Sequence, residues 1–144
     1  AGRTLQNADL RYMGGIRITD ALAKSRNIPA VKALILAGGE QKIRSFLDEK
    51  FGFHINKDYK NHFFGWTLSL GTASVKFSDL ANAYATLATT QKKDLCPIIS
   101  ITTFFGKSLS TGCNKALADK VIKDSTSFFI SDILSNIQAR PTDW

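Results

Sequence analysis

The sequence predicts a mostly helical α+β unit with one β-hairpin. Several segments repeat apolar residues at the spacing of an α-helix, and glycine or proline separates them. A single stretch, "CPIISITTFFGKSLS", has the alternation and the β-branched residues of paired strands around a Gly-Lys turn. The 144 residues, of which 44% are hydrophobic, suffice for one domain with a sizeable core.

The first two helices are predicted to meet just before a proline. Thr19 is a suitable N-cap for a helix over residues 20–26, which should end near Asn27. Pro29 fits the first turn of a second helix, where its missing N–H is not needed. That helix should continue through "AVKALILA" and end at the following pair of glycines.

A third helix is predicted over "EQKIRSFLDEKFGF", with Gly52 as its C-cap. One face of it would carry Ile43, Phe46, Leu47 and Lys50. The next stretch, "HINKDYKNHFFGW", has no helical period and is predicted to be a loop. Most aromatic residues of this region should be core, and the others could form an exposed patch for a partner or a glycan strand. They are Phe51, Phe53, Tyr59, Phe63, Phe64 and Trp66.

Two more helices are predicted in the second half of the chain. The first opens at Ser78, and its apolar stripe places Tyr84 in the core. The full stripe is Leu80, Ala83, Tyr84, Leu87 and Ala88. The last helix covers "SFFISDILSNIQ" and ends before Arg140-Pro141. Its apolar side would be Ile130, Ile133, Leu134 and Ile137.

The formal net charge of +7 favours acidic partners such as nucleic acid, anionic lipid or a polyanionic wall polymer. The basic residues are scattered from Arg3 to Arg140, and Lys92-Lys93 is their only adjacent pair. Because nucleic-acid-binding domains concentrate their charge on one face or arm, we expect no nucleic-acid partner. No apolar run approaches the roughly 18 residues of a membrane span, so no membrane segment is expected.

Residue types that bind metals or carry redox chemistry are few. Cys96 and Cys113 match no zinc or redox spacing, and the sequence leaves open whether they form a disulfide or are two buried thiols. His54 and His62 lack an H-E-x-x-H pattern and are expected in loops or at the surface. The only glutamates, Glu40 and Glu49, lie on one predicted helix, which gives no support to a glycosidase carboxylate pair.

Ser25 and Asn27 are the candidate catalytic residues. On a regular helix, side chains two positions apart point about 200° away from each other. An irregular joint between two helices could aim both into one cleft, with Arg26 pointing away into solvent. The alternative is that both residues only cap helix ends. If Pro29 is the first helical residue, however, the cap position falls on Ile28, which is a poor cap.

Two passages in order resemble a known family: "YMGGIRITDALAKSRNIPAVKAL", and "LSLGTASVKFSDLANAYATLATT" followed by "PIISITTFFGKSL". They are similar to the transpeptidase domain of class A penicillin-binding proteins, the bifunctional makers of bacterial peptidoglycan. The terminal "FFISDILSNIQARPTDW" resembles the helix before the last active-site strand and leans toward the penicillin-binding protein 1C branch. The resemblance spans nearly the whole chain and implies the central part of a β-lactamase-like transpeptidase fold.

Three motifs surround the active site in that family: S-x-x-K, S-x-N and K-T-G. Ser25-Arg26-Asn27 matches the middle motif. No lysine here has a serine three residues before it, and none is followed by Thr or Ser and then Gly. The chain also opens without an initiator Met and without the zones of a signal peptide. We therefore expect residues 1–144 to be an incomplete transpeptidase domain, lacking the S-x-x-K segment before it and the K-T-G strand after it.

The resemblance implies D-Ala-D-Ala transpeptidation in the parent protein. A serine outside this chain would be acylated by one stem peptide, releasing D-Ala, and the acyl group would pass to an amine of another strand. Ser25 would relay a proton between the catalytic lysine and the leaving nitrogen, and Asn27 would hold that lysine and the substrate amide. β-Lactams would acylate the same serine, and no metal or organic cofactor is implied.

The parent would carry a glycosyltransferase domain and a membrane anchor upstream and would act at the periplasmic face of the bacterial inner membrane. This fragment alone is predicted to be inactive, and it could self-associate through surface that the missing strands would cover. One alternative is a non-enzymatic basic helical binding module that recruits an acidic partner or wall polymer. Another is a degenerate homologue that never had the flanking motifs.

Overall fold

The computed structural model describes residues 4–92, 95–111 and 120–141. Within them the chain is a small α+β protein, about half helical, with one two-stranded antiparallel sheet, which confirms the predicted fold class at this level. The helices are α1 (Ile18–Ala23), α2 (Asn27–Leu36), α3 (Gly39–Phe51), α4 (Ile55–Asp58), α5 (Phe77–Thr89) and α6 (Asp124–Ser135). Short 3₁₀ helices cover Gly65–Leu70 and Ile137–Ala139, and the strands are β1 (Ile101–Thr102) and β2 (Ser108–Leu109).

The first helix begins earlier and ends earlier than predicted. Its N-cap is Arg17, so the assignment of Thr19 as N-cap was wrong. The Arg17 Nε donates to Asp20 Oδ2 at 2.8 Å, so an ion pair spans the first turn where we had predicted a hydroxyl cap. The second helix starts at Asn27, and Pro29 lies in its first turn as predicted.

The third helix ends at Gly52, as predicted, and this glycine has the left-handed φ of +74°. The predicted inward face was only partly right. Ile43 and Leu47 pack against the core, but Phe46 is exposed. The buried residues of α3 are instead Glu40 and Arg44, two charged side chains that neutralise each other.

The core forms where α2, α4 and the first 3₁₀ helix meet. Its fully buried members are Leu34, Ile55, Phe64 and Leu68. The segment after α3 that was predicted to be a loop contains α4, and the first 3₁₀ helix begins at its end. Both helices are too short to show a helical period in the sequence. Its aromatic residues divide as expected. Phe51, Phe53, Tyr59 and Phe64 are buried or half-buried, whereas Phe63 and Trp66 are exposed.

A buried ion pair connects α3 to the segment between α4 and the 3₁₀ helix. The Arg44 Nη1 lies 3.1 Å from Glu40 Oε1 and donates to the His62 carbonyl at 2.7 Å. The Arg44 Nη2 donates to the carbonyls of Ile55 (3.2 Å) and Tyr59 (2.6 Å). The Glu40 carboxylate accepts two backbone N–H groups, from Phe64 at 3.0 Å and Gly65 at 2.6 Å. One ion pair thus satisfies five backbone groups of residues 55–65.

The pH dependence of stability should report on Glu40. Burial raises the pKa of Glu40, but two backbone N–H groups and the Arg44 guanidinium lower it by more, so its pKa lies below the ordinary 4.5. A carboxyl group whose pKa is lower in the folded than in the unfolded chain stabilises the fold at any pH above the unfolded pKa. That stabilisation is lost as the pH falls toward the folded pKa. We expect the free energy of unfolding to fall less steeply in Glu40→Gln than in wild type as the pH is lowered from about 5.

Denaturant unfolding at several pH values measures this difference in slope. Glu49→Gln is the matched control, because Glu49 lies on the same helix and is exposed. It should keep the wild-type slope. Equal slopes in wild type and Glu40→Gln would contradict the assignment of Glu40.

The second half of the described chain contains the hairpin and two helices. Ile101 pairs with Leu109 and Thr102 with Ser108, which confirms the predicted hairpin and its turn at Gly106. The prediction that Tyr84 is core was wrong, because this residue is 62% exposed.

Helix α5 turns only part of the predicted stripe inward: Ala83 is buried and Leu87 is half-buried. Its buried residues are Ala83 and Thr86. Leu80 and Ala88 of the predicted stripe are exposed. The Ser127 hydroxyl of α6 donates to the Leu87 carbonyl at 2.5 Å, so a polar bond joins the two helices. On α6, Ile130 and Ile133 are half-buried and Leu134 is exposed; Ile137, predicted on the same side, lies beyond α6 in the second 3₁₀ helix and is also exposed.

Candidate functional site

The joint between α1 and α2 reverses the chain at Ser25. This residue has a φ of +48°, in the left-handed region. Its N–H donates to the Leu22 carbonyl at 3.0 Å, and the N–H of Arg26 donates to the Ala21 carbonyl at 3.0 Å. These two bonds are those of a Schellman motif, the helix ending in which a left-handed residue follows the C-cap. Ser25 therefore occupies a position that usually holds glycine.

The N-terminal segment, residues 5–11, lies against this joint and holds it. The buried Asn7 Oδ1 accepts the N–H of Ile28 at 3.2 Å, and the Asn7 Nδ2 donates to the Arg11 carbonyl at 2.7 Å. The start of α2 is thus satisfied by a side chain 21 residues earlier in the chain. The sequence analysis did not find Asn7, because no local pattern links an asparagine to a helix that begins so far away.

The Asn27 side chain is oriented by the same segment. Its Nδ2 donates to the Gln6 carbonyl at 3.2 Å. A backbone carbonyl can only accept, so this contact turns the amide nitrogen toward Gln6 and leaves Oδ1 as an acceptor. Asn27 is half-buried and is the first residue of α2.

The expectation that Arg26 points into solvent was wrong. Its side chain is only 11% exposed and its Nη1 lies 2.7 Å from Asp9 Oδ2. The Nη2 also donates to the Arg11 carbonyl at 3.4 Å. The Arg26 guanidinium, together with the Arg11 N–H, lowers the pKa of Asp9 below its ordinary value of 3.8. Arg26 folds back onto the N-terminal segment because that segment, which the local sequence pattern did not place here, supplies a carboxylate and a carbonyl.

The two candidate residues lie on either side of Arg26, at a break between helices. Ser25 is exposed, and within the described residues no protein group accepts or donates a hydrogen bond to its hydroxyl. Neither side chain caps a helix end, since Asn7 satisfies Ile28 and the Asn27 amide bonds to Gln6. An exposed hydroxyl can accept and donate a proton, and the free Oδ1 can accept an N–H from a cation or an amide. That both groups face one hollow stays a prediction.

Other candidate chemistry is limited in the part of the chain that the structure describes. That part contains no cluster of His, Cys, Asp and Glu that could hold a metal ion. Residues 4–92, 95–111 and 120–141 also contain no helix that is both long and apolar enough to cross a membrane. Cys96 is in a disulfide, and Cys113 lies outside the described residues. No protein-family model matches the chain, and no curated protein matches it.

Proposed function

We propose that the chain is the central part of a serine-type D-Ala-D-Ala transpeptidase domain. Support comes from the ordered passages that resemble class A penicillin-binding proteins, with Ser25-Arg26-Asn27 at the place of their S-x-N motif. The small α+β fold is compatible with the helical middle of that domain. These 144 residues contain no S-x-x-K and no K-T-G, and the proposal assigns both motifs to other segments of the parent domain.

The left-handed backbone of Ser25 carries the proposal. A residue other than glycine pays about 1–2 kcal/mol to adopt this conformation, and glycine avoids that cost. Strained residues of this kind persist where function requires the side chain. A joint with only a structural role has no use for the Ser25 hydroxyl, which is exposed and contacts no hydrogen-bond partner in the described chain. The proposed role of Ser25 rests on this combination of a left-handed backbone at the S-x-N position and an exposed hydroxyl.

In the proposed reaction the nucleophile is a serine on another segment of the parent domain. Its oxygen forms a bond to the carbonyl carbon of the donor stem peptide, and the bond from that carbon to the terminal D-Ala nitrogen breaks. Ser25 passes a proton to the departing nitrogen and receives one from the activating lysine. Asn27 Oδ1 accepts an N–H from that lysine or from the substrate, in the orientation that the Gln6 carbonyl sets.

Substitution of Ser25 by glycine separates a catalytic role from a structural one. In the longer transpeptidase chain that this proposal implies, Ser25→Gly should slow acylation by a fluorescent penicillin about 100-fold, because the proton relay is lost. In the present 144-residue chain the same change should raise the free energy of unfolding by up to about 1 kcal/mol, because the left-handed strain disappears.

His54→Gly is the matched control for that experiment. His54 is also exposed and left-handed, with a φ of +58°, but it lies at the start of α4. Its replacement should increase stability similarly and leave acylation unchanged. Wild-type acylation in Ser25→Gly would refute the catalytic role while leaving the structural argument intact.

The isolated chain should not react with β-lactams. Incubation with a fluorescent penicillin, followed by denaturing electrophoresis, should show no covalent adduct, because the chain lacks a Ser-x-x-Lys nucleophile pair. Ser25 should stay unlabelled, since the chain supplies no S-x-x-K lysine to activate a serine. A stable adduct on any serine of this chain would overturn the argument that its active site is incomplete.

The parent protein is proposed to work at the periplasmic face of the inner membrane, with a glycosyltransferase domain and an anchor upstream. The disulfide of Cys96 fits an oxidising compartment of that kind. Reading the coding sequence on both sides of residues 1–144 tests the proposal directly. S-x-x-K should precede this chain and K-T-G should follow it. Their absence would favour a degenerate homologue or a basic binding module, whose binding to wall polymer would weaken with salt.

A further inference from the structure

The turn between β1 and β2 presents two phenylalanines to water on nearly all sides. Phe104 is 96% exposed and Phe105 is 93% exposed. Their rings meet edge to face, with centroids 5.5 Å apart, and form one apolar surface. Such exposed rings bury almost no area in the folded chain, so they contribute almost nothing to its stability. An apolar surface of this kind at a projecting tip marks an interaction site.

Three backbone N–H groups of this turn, those of Thr103, Gly106 and Lys107, are bonded within it. The Thr103 N–H donates to the Lys107 carbonyl at 2.8 Å, and the Gly106 N–H donates to the Thr103 carbonyl at 2.9 Å. The Lys107 N–H donates to the Thr103 hydroxyl at 3.0 Å. A backbone group that already has a hydrogen-bond partner in the protein loses no hydrogen bond when water is removed. A backbone group without such a partner opposes entry into an apolar medium. These bonds hold the turn in one conformation with both rings at its tip, and they remove the desolvation cost of three N–H groups.

The charge of the hairpin indicates which kind of partner it would bind. Residues 95–111 contain one charged side chain, Lys107, and no Asp or Glu. Ile101 and Leu109 stand opposite each other in the ladder and are also exposed, so apolar surface continues from the tip onto the ribbon. An apolar tip beside a lysine complements a bilayer whose acyl chains lie under anionic headgroups. A wall polymer offers anions but no apolar medium, and the net charge of +7 attracts the chain to an anionic surface.

We propose that residues 103–107 insert into the interfacial region of an anionic phospholipid bilayer. Phe104 and Phe105 enter the boundary between headgroups and acyl chains, and the Lys107 ammonium contacts lipid phosphate. This contact is independent of the transpeptidase proposal and holds the chain at a membrane surface without a spanning helix. It predicts an orientation in which the hairpin tip faces the lipid.

Co-sedimentation of the 144-residue chain with phospholipid vesicles tests the proposal. Vesicles of phosphatidylcholine containing about a quarter phosphatidylglycerol should bind the chain, and pure phosphatidylcholine vesicles should bind it several-fold less. The double variant F104S/F105S should bind the anionic vesicles at least about tenfold more weakly. Lys107→Gln should weaken binding about fivefold and reduce its salt dependence. Thermal melting of both variants should match wild type, because these side chains pack against little.

The matched control is the second pair of adjacent phenylalanines, in α6. Phe128 and Phe129 are 66% and 62% exposed, and their ring centroids lie 5.8 Å apart. The variant F128S/F129S removes the same side-chain atoms from a less exposed position and should bind vesicles like wild type. A loss equal to that of F104S/F105S would overturn the proposal, since binding would then follow general hydrophobicity.

Direct insertion can be detected by fluorescence. Phe104→Trp should keep vesicle binding and be quenched by lipids that carry bromine on the acyl chains, in excess of any quenching of wild type. Absence of that additional quenching, or no binding of wild type to anionic vesicles, would overturn the proposal. A third outcome would also overturn it: the wild-type chain binds no vesicles but self-associates, and F104S/F105S abolishes that self-association. The tip would then contact a second copy of the chain.

Discussion

Arg44→Met is expected to lower the free energy of unfolding by about 3–5 kcal/mol. The change leaves the buried Glu40 carboxylate without its cation. It also leaves three carbonyls, those of Ile55, Tyr59 and His62, without the guanidinium that they share. Each buried acceptor without a partner adds about 1–3 kcal/mol of desolvation, although water entering the site can recover part of that cost.

Chemical denaturation followed by circular dichroism measures this effect. Lys42→Met is the matched control, because it removes a cation from an exposed position of the same helix and should change stability by less than about 0.5 kcal/mol. The double variant E40M/R44M should be more stable than Arg44→Met alone, because no buried charge is left unpaired. Equal stability of Arg44→Met and wild type would show that the buried pair does not hold the segment after α3.

Phe64→Ala is expected to cost about 3–5 kcal/mol, as large aromatic truncations in a core do. The Phe64 ring belongs to the buried cluster with Leu34 and Leu68. It also meets the Tyr59 ring edge-on at 5.1 Å and lies 5.6 Å from the Arg44 guanidinium. The substitution therefore opens a cavity where the apolar core and the buried ion pair meet.

Phe63→Ala is the control one residue earlier in the chain. Phe63 is 77% exposed, so its truncation should change the free energy of unfolding by no more than about 0.5 kcal/mol. The two variants remove the same atoms from neighbouring positions and differ only in burial. Similar losses in both would contradict the assignment of Phe64 to the core.

The irregular joint between α1 and α2 was predictable from the local sequence, but the contacts that hold it were not. The order Ser25-Arg26-Asn27 before Pro29 predicted an irregular joint, and the left-handed Ser25 lies at that joint. The sequence analysis expected Arg26 in solvent, whereas it is paired with Asp9. It also missed Asn7, which satisfies the first turn of α2. Both contacts join positions 17 or more residues apart, and a local pattern contains no information about such pairs.

Helix α5 illustrates the same limit in packing. The spacing of Leu80, Tyr84 and Leu87 predicted one apolar face, but Tyr84 is exposed and Thr86 is buried. The Thr86 hydroxyl donates to the Asn82 carbonyl of its own helix at 2.8 Å, so its polar atom is satisfied without water. A threonine can thus take a core position when the neighbouring helix approaches its side of α5.

The amino-acid sequence by itself determined the mostly helical α+β class, the hairpin and the end of α3 at Gly52, because these depend on local periodicity and on residues that accept a positive φ. Only the tertiary structure decided that Glu40 and Arg44 would be the buried residues of α3. Charged side chains enter a core when distant backbone groups and an opposite charge compensate for lost water. The opposite charges both lie on α3, but the backbone partners come from residues 55–65, a segment that only the fold brings against this helix.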